Sequence, residues 1–544
     1  MKKLLLVLMI GMMGVKGYGQ ITFQKVYGGD SINTPSNDMI QTIDSGFIMI
    51  GGSYIENPIG LAALIIKTDK LGEVIWSKKF GVEGYSVVSN YIRQTSDNGF
   101  IITGTIDTSG DLSNRIFLIK IDYLGNLIWN KVFHSSIDSF FNNGPLGIRQ
   151  ALDNGFVITG ERRTQSGAQR DFLIRTDSMG NLIFSKSYWK QQHRSRGFDL
   201  QFLDNGEIIL IGVDDPLNPY NNILLIKVNN NGIPIWSRTI GTVATDSMVI
   251  PGYPAHLETA PDGGYVFCVP IQDHYTNSYY NHFILTKTDS AGNLMWNYLY
   301  NVIQSDEVSG CSIKNTTDGG FILCGDSEDS LEDDDIYLIK TDEFGNLIWN
   351  RTYGTLVDHD MIGETAFQTS DNGYAIIGQD WDYSVRNIYL IKTDSIGNSM
   401  CNQLDRSVPV TPLTLWDSLI TVQVDSFIYS ETNLTFITGA IVIDTVNVCS
   451  TTGIKESSSN NSETSLYPNP TSGTFTLSIR NLSPALAGSN WDLRIIDVLG
   501  QEVYSQPIFN QESTIINLPQ LSNGVYFYQL SNSKETFRGK FVKE

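Results

Sequence analysis

A segment of about 50 residues recurs seven times along most of this chain, and few folds can accommodate such a repeat. Its first marker is a glycine that follows a turn-forming stretch and precedes an apolar run, as in TSDNGFIITG. The marker glycines are Gly46, Gly99, Gly155, Gly206, Gly264, Gly320 and Gly373. Their separations of 51 to 58 residues fall in the period range of β-propeller blades.

Each repeat contains four short apolar segments, which predict four strands, A to D. Segments B and C are almost continuously apolar, a pattern typical of strands that are buried on both faces. Segment D alternates, as in residues 347–353 (LIWNRTY), where its aromatic residues are predicted to pack between blades. Between C and D, Asp342 and Gly345 suit a tight turn, so the repeated acids are interpreted as turn residues rather than metal ligands.

The ends of the repeat region are offset by one strand. The seventh repeat lacks a recognisable segment D, whereas residues 21–29 (ITFQKVYGG) resemble a D segment without A, B and C. An N-terminal strand that completes the last blade would leave no sheet unfinished. The sequence therefore predicts an all-β fold with a seven-bladed β-propeller over 21–398. A right-handed solenoid of the same repeats is the alternative.

Charge and the N-terminus indicate where the chain works. It has 37 Lys and Arg against 58 Asp and Glu, a net charge of −21, which disfavours nucleic acid and anionic membranes as partners. Residues 1–19 combine two lysines with an apolar run and are predicted to be a signal peptide. A membrane anchor is the alternative, but the run of about 12 apolar residues is shorter than the ~20 of a spanning helix.

The last 80 residues differ from the repeats. Alternating strands with Pro and Gly turns over 465–544 predict a small Ig-like β-sandwich. Its motif residues are Pro468, Asn469, Pro470, Gly473, Gly500, Gly524, Tyr526 and Lys540. At these residues the chain resembles the type A C-terminal sorting domain of proteins exported by the type IX secretion system. An Ig-like binding module is the alternative.

That resemblance carries expectations about partners and location. It implies recognition by the type IX secretion machinery and release from the cell or retention on its outer surface. It also implies cleavage of the sorting domain, after which attachment to surface lipopolysaccharide is possible in that family. We expect a secreted or outer-membrane surface protein, and a monomer.

Between the propeller and the sorting domain, residues 399–449 are predicted to form a separate β-rich segment bounded by Cys401 and Cys449. Since an exported chain folds in an oxidising compartment, these two cysteines are expected to form a disulfide. Residues 450–464 are Ser- and Asn-rich and predict a flexible linker. Cys268, Cys311 and Cys324 are expected to be small buried residues, with a Cys311–Cys324 bridge as the alternative.

The strand order assigns the candidate binding residues to one face. The tight A–B and C–D turns share one end of the blades, so the unlike B–C and D–A loops share the other, where function is expected. This loop face carries the candidate ligand-binding residues Trp189, His193, Asp214, Asp215, His274, Tyr275, Tyr279, Tyr280, His282, Asp358, His359, Trp381 and Tyr383. No catalytic residue, cofactor or metal set is assigned, although the acidic residues 333–335 could hold calcium.

Two functions remain open from the sequence. The first is a non-catalytic scaffold that binds a glycan or a protein through the loop face. The second is an exported hydrolase or lyase whose site lies in the central depression of the propeller. A deep axial site with two carboxylates, or with a His and a carboxylate in reach of each other, would favour the enzyme.

Overall fold

The computed structural model describes most of the chain in stretches separated by gaps, and every regular element in them is a β-strand. The described part contains no helix that could cross a membrane. The described residues are 20–28, 35–55, 60–108, 111–134, 139–164, 166–216, 221–242, 248–249, 255–273, 281–301, 311–328, 334–354, 360–382, 385–405, 408–427, 430–441, 443–448, 463–467, 471–480, 490–497, 501–509, 513–532 and 536–543.

Twenty-nine strands lie in the repeat region. They are β1 (Phe23–Gly28), β2 (Ser36–Gln41), β3 (Phe47–Ile55), β4 (Gly60–Thr68), β5 (Val74–Gly81), β6 (Tyr85–Gln94), β7 (Phe100–Thr108), β8 (Asp111–Ile121), β9 (Leu127–His134), β10 (Ser139–Gln150), β11 (Phe156–Arg163), β12 (Gln169–Thr176), β13 (Leu182–Trp189), β14 (Arg194–Phe202), β15 (Ile208–Asp215), β16 (Asn222–Val228), β17 (Pro234–Thr242), β18 (Met248–Val249), β19 (His256–Thr259), β20 (Tyr265–Asp273), β21 (Asn281–Thr288), β22 (Leu294–Tyr300), β23 (Ser312–Asn315), β24 (Phe321–Glu328), β25 (Asp334–Thr341), β26 (Leu347–Tyr353), β27 (Asp360–Gln368), β28 (Tyr374–Asp382) and β29 (Val385–Thr393).

These strands form blades with one shared order, in which strands that follow one another in the chain lie side by side and antiparallel. The blades are β2–β5 (blade 1), β6–β9 (blade 2), β10–β13 (blade 3), β14–β17 (blade 4), β18–β22 (blade 5), β23–β26 (blade 6) and β27–β29 with β1 (blade 7). The first strands of neighbouring blades contact one another all the way round, and β2 of blade 1 contacts β27 of blade 7. The ring is therefore closed, which a solenoid would not be, and the fold is a β-propeller.

Blade 7 is built from both ends of the ring. Strand β1 pairs antiparallel with β29, with Phe23 opposite Lys392 and Val26 opposite Tyr389. The Tyr27 hydroxyl then donates to the carbonyl of Gly72 in blade 1 at 2.7 Å. Tyr188 and Tyr353 make the equivalent bond to the following blade, each at 2.7 Å. The repeated D-strand tyrosine thus joins adjacent blades, as the sequence suggested for the D-strand aromatics.

The repeated acids of the C–D turns are turn residues. The Asp342 carboxylate accepts from the backbone N–H groups of Phe344 and Asn346 at 2.9 and 2.8 Å. Gly345 has a φ of 80°, a conformation that glycine adopts without steric cost. A Cβ added to Gly345 would lie 2.8 Å from the Trp296 ring of the preceding blade, so only glycine fits at this position. The turn therefore also positions the blades relative to one another.

A cation in strand C of each blade, buried in six blades and half-buried in blade 4, pairs with an acid of the A–B turn, a feature that the sequence analysis missed. The pairs are Lys67–Asp44 (2.9 Å), Lys120–Asp97 (2.9 Å), Arg175–Asp153 (2.5 Å), Lys227–Glu207 (2.7 Å), Lys287–Asp262 (2.6 Å), Lys340–Asp318 (2.9 Å) and Lys392–Asp371 (3.0 Å). In blade 4, Asn205 occupies the turn position and Glu207 supplies the charge. The acid of this turn therefore lies two residues beyond its position in the other blades.

Residues 399–449 do not form the separate segment that the sequence suggested. Their strands each extend one blade at its outer edge, and together they encircle the ring. These strands and their partners are β30 (Gln403–Asp405) with β26, β31 (Val410–Pro412) with β22, β32 (Leu415–Ile420) with β17, β33 (Gln423–Ser426) with β13, β34 (Ser430–Thr432) with β9, β35 (Ile437–Ala440) with β5 and β36 (Asp444–Asn447) with β1.

We call residues 403–448 the belt. It visits blades 6, 5, 4, 3, 2, 1 and 7 in that order, opposite to the order of the chain. The physical reason is that the D strand of a four-stranded blade leaves a free row of backbone groups at its outer edge, and an added antiparallel strand satisfies them. Chain contacts accordingly place residues 1–449 in one compact unit and 450–544 in a second.

The second unit contains two small sheets. Its strands are β37 (Glu463–Tyr467), β38 (Thr474–Arg480), β39 (Asn490–Ile496), β40 (Glu502–Phe509), β41 (Ser513–Asn517), β42 (Gly524–Ser531) and β43 (Thr536–Lys543). The sheets β37-β38-β41 and β40-β39-β42-β43 share one apolar core that includes Phe475, Trp491 and Phe541. Gly473 has a φ of 113°, and Tyr526 donates to the Ser522 carbonyl at 2.9 Å.

Other motif residues of this unit have simpler positions. Gly524 begins β42, and Lys540 lies opposite Phe527 in the pairing of β42 with β43. Pro468, Asn469, Pro470 and Gly500 lie outside the described residues, as do residues 1–19 and the linker residues 450–462.

The turn acids predict a loss of stability in acid. Partial burial alone would raise the pKa of Asp97, but hydrogen bonds from Thr95, Lys120 and the Gly99 N–H lower it. A lowered native pKa stabilises the fold above the unfolded value of about 3.9, and this contribution disappears as the pH falls through the native pKa. We expect Asp97→Asn to cost about 0.5–1 kcal/mol at pH 7, because the Lys120 ammonium loses its counter-charge while solvent screens the exposed carboxylate.

Urea unfolding at pH 7 and at pH 3 measures this effect. The difference between wild type and Asp97→Asn should shrink at pH 3, where Asp97 begins to be neutralised in both states. Glu343→Gln, which removes an exposed acid of a C–D turn, is the matched control and should change little at either pH. An equal cost for Asp97→Asn at both pH values would contradict the role given to its charge.

Candidate functional site

The innermost strands place charged side chains around the ring axis. Each cation pairs with an acid from an adjacent blade, and the pairs are Arg93–Asp38, Arg149–Asp199 (3.2 Å) and Lys314–Glu258 (2.5 Å). Asp38 also accepts from the backbone N–H of Ile92 in the next blade at 3.0 Å. These acids therefore hold neighbouring blades together at the axis.

Asp199 is an axial acid whose two carboxylate oxygens both accept hydrogen bonds from neighbouring groups. It is 2% exposed and accepts from the Leu200 N–H at 2.8 Å, the Leu257 N–H at 3.2 Å and the Arg149 guanidinium. The His256 Nδ1 atom lies 3.6 Å from its second oxygen. Burial raises the pKa of Asp199, but the Arg149 charge and the His256 contact outweigh it and keep the pKa below the ordinary value. The carboxylate is thus fixed in its ionised form by structural bonds.

Glu364 differs from the other axial acids. It sits at a β-bulge in β27, between Gly363 and Thr365, and accepts a hydrogen bond from the Gln379 amide at 2.6 Å. Burial and the charge of Asp38 raise the pKa of Glu364 to about 7. Its side chain keeps partial exposure although it lies in an innermost strand. A carboxyl group that exchanges its proton near neutral pH is therefore present at the axis.

A second polar cluster lies where the loop ends of blades 3 and 4 meet. Strand β13 ends at Trp189, a short turn follows in which the His193 N–H donates to the Lys190 carbonyl at 3.1 Å, and β14 begins at Arg194. The His193 Nδ1 atom is 2.6 Å from Asp214, which lies near the end of β15 and is fully buried. The Lys190 ammonium is 3.6 Å from the other oxygen of Asp214.

This cluster also includes two buried acids. Glu161 and Asp171 lie opposite each other in the pairing of β11 with β12, and they are 2% and 1% exposed. Burial, with the charges of Glu161 and Asp214, raises the pKa of Asp171 well above its ordinary value. The Arg196 Nε atom lies 3.8 Å from Glu161. We call Glu161, Asp171, Lys190, His193, Arg194, Arg196 and Asp214 the junction cluster.

An aromatic side chain and the belt border the junction cluster. The Arg170 guanidinium lies 3.6 Å from the centre of the Trp189 ring and pairs with Asp425 of the belt at 2.6 Å. The Arg162 guanidinium lies 4.0 Å from the ring centre of Phe427, also in the belt. The belt therefore helps to hold the cationic side chains at this junction.

The structure brings together some of the candidate binding residues and separates others. Trp189, His193, Asp214 and Asp215 gather at the junction, since Arg194 lies opposite Asp215 in the pairing of β14 with β15. His282 lies at the loop end of blade 5, and Trp381 at that of blade 7, where Arg386 stacks on its ring at 4.3 Å. The candidates that lie outside the described residues are His274, Tyr275, Tyr279, Tyr280, Asp358, His359 and Tyr383.

Sequence reasoning missed several members of the junction cluster. Glu161, Asp171, Lys190 and Arg196 come from four segments, and no local motif joins them. One signal was available, because Asp171 interrupts the apolar C segment of the third repeat, at a position where repeats 6 and 7 carry Ile336 and Ile388.

Metal binding finds no support in the described ranges, which contain no group of three or more His, Cys, Asp or Glu side chains arranged to hold an ion. Asp333, the first residue of the acidic run considered for calcium, lies outside them.

The cysteines pair differently from the expectation. Cys268 and Cys311, in adjacent blades 5 and 6, form a disulfide with a Cα–Cα distance of 6.0 Å. Cys324 is buried and free, so the alternative Cys311–Cys324 bridge is wrong. The sequence predicted three small buried side chains, but Cys311, which directly precedes the first strand of blade 6, lies beside Cys268 of the preceding blade. Cys401 is disulfide-bonded, and its expected partner, Cys449, lies outside the described residues.

The raised pKa of Glu364 predicts a pH-dependent cost. A folded carboxyl pKa above the unfolded value of about 4.3 leaves stability unaffected in acid and lowers it as the pH rises toward 7. We expect Glu364→Gln to stabilise the protein by about 1–3 kcal/mol at pH 8 and to have little effect at pH 4. Thermal unfolding of both proteins at these pH values measures the difference, and stabilisation that is equal at pH 4 and pH 8 would contradict it.

Comparison with known proteins identifies the C-terminal unit. Residues 465–544 match the family described as "Secretion system C-terminal sorting domain". No curated protein matches the chain. A solved structure of alpha-L-arabinanase from Penicillium chrysogenum, complexed with arabinobiose, aligns with a TM-score of 0.40 at 11% identity over 69% of this chain and 99% of that chain. The sorting domain makes this chain a cargo of type IX secretion, delivered to the cell surface or outside the cell.

Proposed function

We propose that the propeller is a non-catalytic binding scaffold that contacts a glycan or a protein on its loop face, at the junction of blades 3 and 4. The observation that carries this proposal is the contrast between the two polar clusters. At the axis, the described acids Asp38, Asp199 and Glu258 are bound to cations of adjacent blades. At the junction, Lys190 and Arg196 also face acids, but at the longer distances of 3.6 and 3.8 Å. Their cationic heads are about one-third exposed, and Arg194 is exposed.

The junction has the side chains that a polar ligand would use. Lys190, Arg194 and Arg196 can donate to ligand oxygens. Trp189 is half-buried, and the face of its indole that Arg170 does not cover could contact a ligand.

The acids Glu161, Asp171 and Asp214 of this cluster are buried, so the charges that the junction presents at its surface are those of the cations, although the whole chain carries a net charge of −21. A glycan with carboxylate or sulfate groups would match these cations, as would an acidic segment of a surface protein.

The two ends of the chain would direct the export of the protein to the location of that ligand. We propose that residues 1–19 act as the signal peptide and that the sorting domain engages the type IX secretion machinery. Removal of the sorting domain, attachment to surface lipopolysaccharide and a monomeric state belong to the same proposal.

A binding screen tests the scaffold function. The purified chain is applied to arrays of acidic and neutral glycans, and the bound class is then titrated with Trp189→Ala/Arg194→Ala. We expect this double variant to weaken binding at least tenfold, since it removes a charged contact and an aromatic surface. Lys70→Ala/Phe344→Ala removes a cation and an aromatic from the opposite, tight-turn face and is the matched control. Equal affinity of both double variants would place the ligand elsewhere.

The second candidate function is an exported hydrolase or lyase with its site at the axis, and Glu364 is the observation that favours it. A carboxyl group with a pKa of about 7 is suited to general acid catalysis at neutral pH. Assays of polysaccharide cleavage with wild type and Glu364→Gln test this candidate. Cleavage that is lost in Glu364→Gln but kept in Trp189→Ala/Arg194→Ala would establish it in place of the scaffold.

A further inference from the structure

The belt repeats with a period of seven residues, which is one step for each blade. The first apolar series is Leu413, Ile420, Phe427, Leu434, Ile441 and Val448, and the second is Leu415, Val422, Phe436 and Ile443. The two series are offset by two residues, and most of their members lie in the connections between consecutive belt strands rather than within the strands. This period differs from the ring period of about 50 residues and belongs to the belt alone.

The apolar residues of the belt insert between blades. Leu434 and Phe436 join the core between blades 1 and 2, where the Phe436 ring lies 6.2 Å from that of Phe117. Ile441 and Ile443 join the core between blades 7 and 1. Ile420 and Val422 join the core between blades 3 and 4. Each step thus fills the outer end of a gap between neighbouring blades.

A polar residue in the D strands of blades 1 to 5 bonds the belt backbone. The residue after the repeated aromatic is Ser77, Asn130, Ser185, Ser237 or Asn297, and each bonds the backbone of a residue in the first apolar series. Asn130 both donates to the Leu434 carbonyl and accepts from its N–H, at 3.0 Å each. Ser237 donates to the Ile420 carbonyl at 2.7 Å. These bonds fix the register of these steps.

Ion pairs add to this recognition at three blades. Asp405, Asp417 and Asp425 of the belt pair with Arg351, Arg238 and Arg170 of the ring at 2.9, 2.5 and 2.6 Å. Backbone pairing, apolar insertion and side-chain bonds therefore act together in repeated units.

We infer that the perimeter of the ring is a seven-step peptide-binding surface, and that the belt occupies it as a ligand rather than only as a continuation of the chain. The partner that fits this surface is an extended peptide with two apolar residues, two positions apart, in every seven. We expect the belt to stay bound when its covalent link to the ring is cut. Because the sorting domain follows the belt in the chain, the bound belt would keep the sorting domain attached to the propeller.

The test uses the full chain with a specific protease site inserted between Asp405 and Val408, so that β30 stays with the ring fragment and the other six belt strands lie beyond the cut. Cys401→Ser is included so that no disulfide of Cys401 retains the belt. After cleavage, size-exclusion chromatography in native buffer separates bound from released fragments. We expect the fragment that begins at Val408, which carries the sorting domain, to co-elute with the ring fragment.

Variants of the receptor positions test the stepwise recognition. Each lost hydrogen bond corresponds to about fivefold in the equilibrium, so Ser185→Ala/Ser237→Ala should release the cut belt about 25-fold more readily. Ser178→Ala, an exposed serine of a C–D turn, is the matched control and should have no effect. Release that is no greater from the receptor variant than from the control would overturn the stepwise recognition.

A second measurement applies even if the receptor variant does not fold. In the uncut wild-type chain, hydrogen exchange at Leu434 should be slowed to a rate comparable with that of the strands of blade 2. Exchange at Leu434 at the rate of a free peptide would overturn the inference. So would a cut belt that elutes apart from the ring, whether the ring then stays soluble or aggregates.

Discussion

The structure depends on pairing the outer edge of every blade. A blade of four antiparallel strands satisfies its inner strands by pairing but leaves the backbone groups of its last strand open. In this protein the belt covers all seven edges with short strands, and the N-terminal strand β1 lies between β29 and β36. The repeats alone would leave seven edges that could pair with other chains. The segment that follows them in the sequence is therefore part of the propeller.

The repeats were predictable because each one contains the same local information. Turn residues such as Asp342 and Gly345 act within a few positions of themselves, and the continuous apolar B and C segments reveal burial on both faces. The offset first strand also indicated how the ring closes. Glu207 shows the limit of this logic, since Asn205 takes the turn position in blade 4 and the acid that pairs with Lys227 lies two residues farther along the chain.

The belt and the candidate sites were harder to predict for a physical reason. Belt strands of three to six residues are too short for a clear strand pattern, and their period of seven is visible only once the spacing of the blades is known. The junction cluster draws Glu161, Lys190 and Asp214 from different strands, so that only the folded ring makes them neighbours. The Cys268–Cys311 bridge likewise joins adjacent blades rather than equivalent positions within them.

Charged residues that recur in every blade can be assigned a structural role, which leaves fewer candidates for ligand binding. Seven cations of strand C and their turn acids serve the same structural purpose in every blade, and the axial pairs join neighbouring blades. Charged residues that break the repeat, such as Asp171 and Arg196, have no such shared role. A ligand that distinguishes one side of the ring from another must use residues of this second kind.

The position of β1 has a consequence for the order of folding. A hydrogen bond from Gln24 to Ser399 joins residues 375 positions apart, and β36 covers the other edge of the same strand. Contacts between such distant residues are slow to form, because a long loop must close first. The last blade cannot be complete until residues from both ends of the ring are available. A chain whose C-terminal half is not yet available therefore cannot close its ring. The ring can be completed only when residues 23–447 are all present in the same compartment.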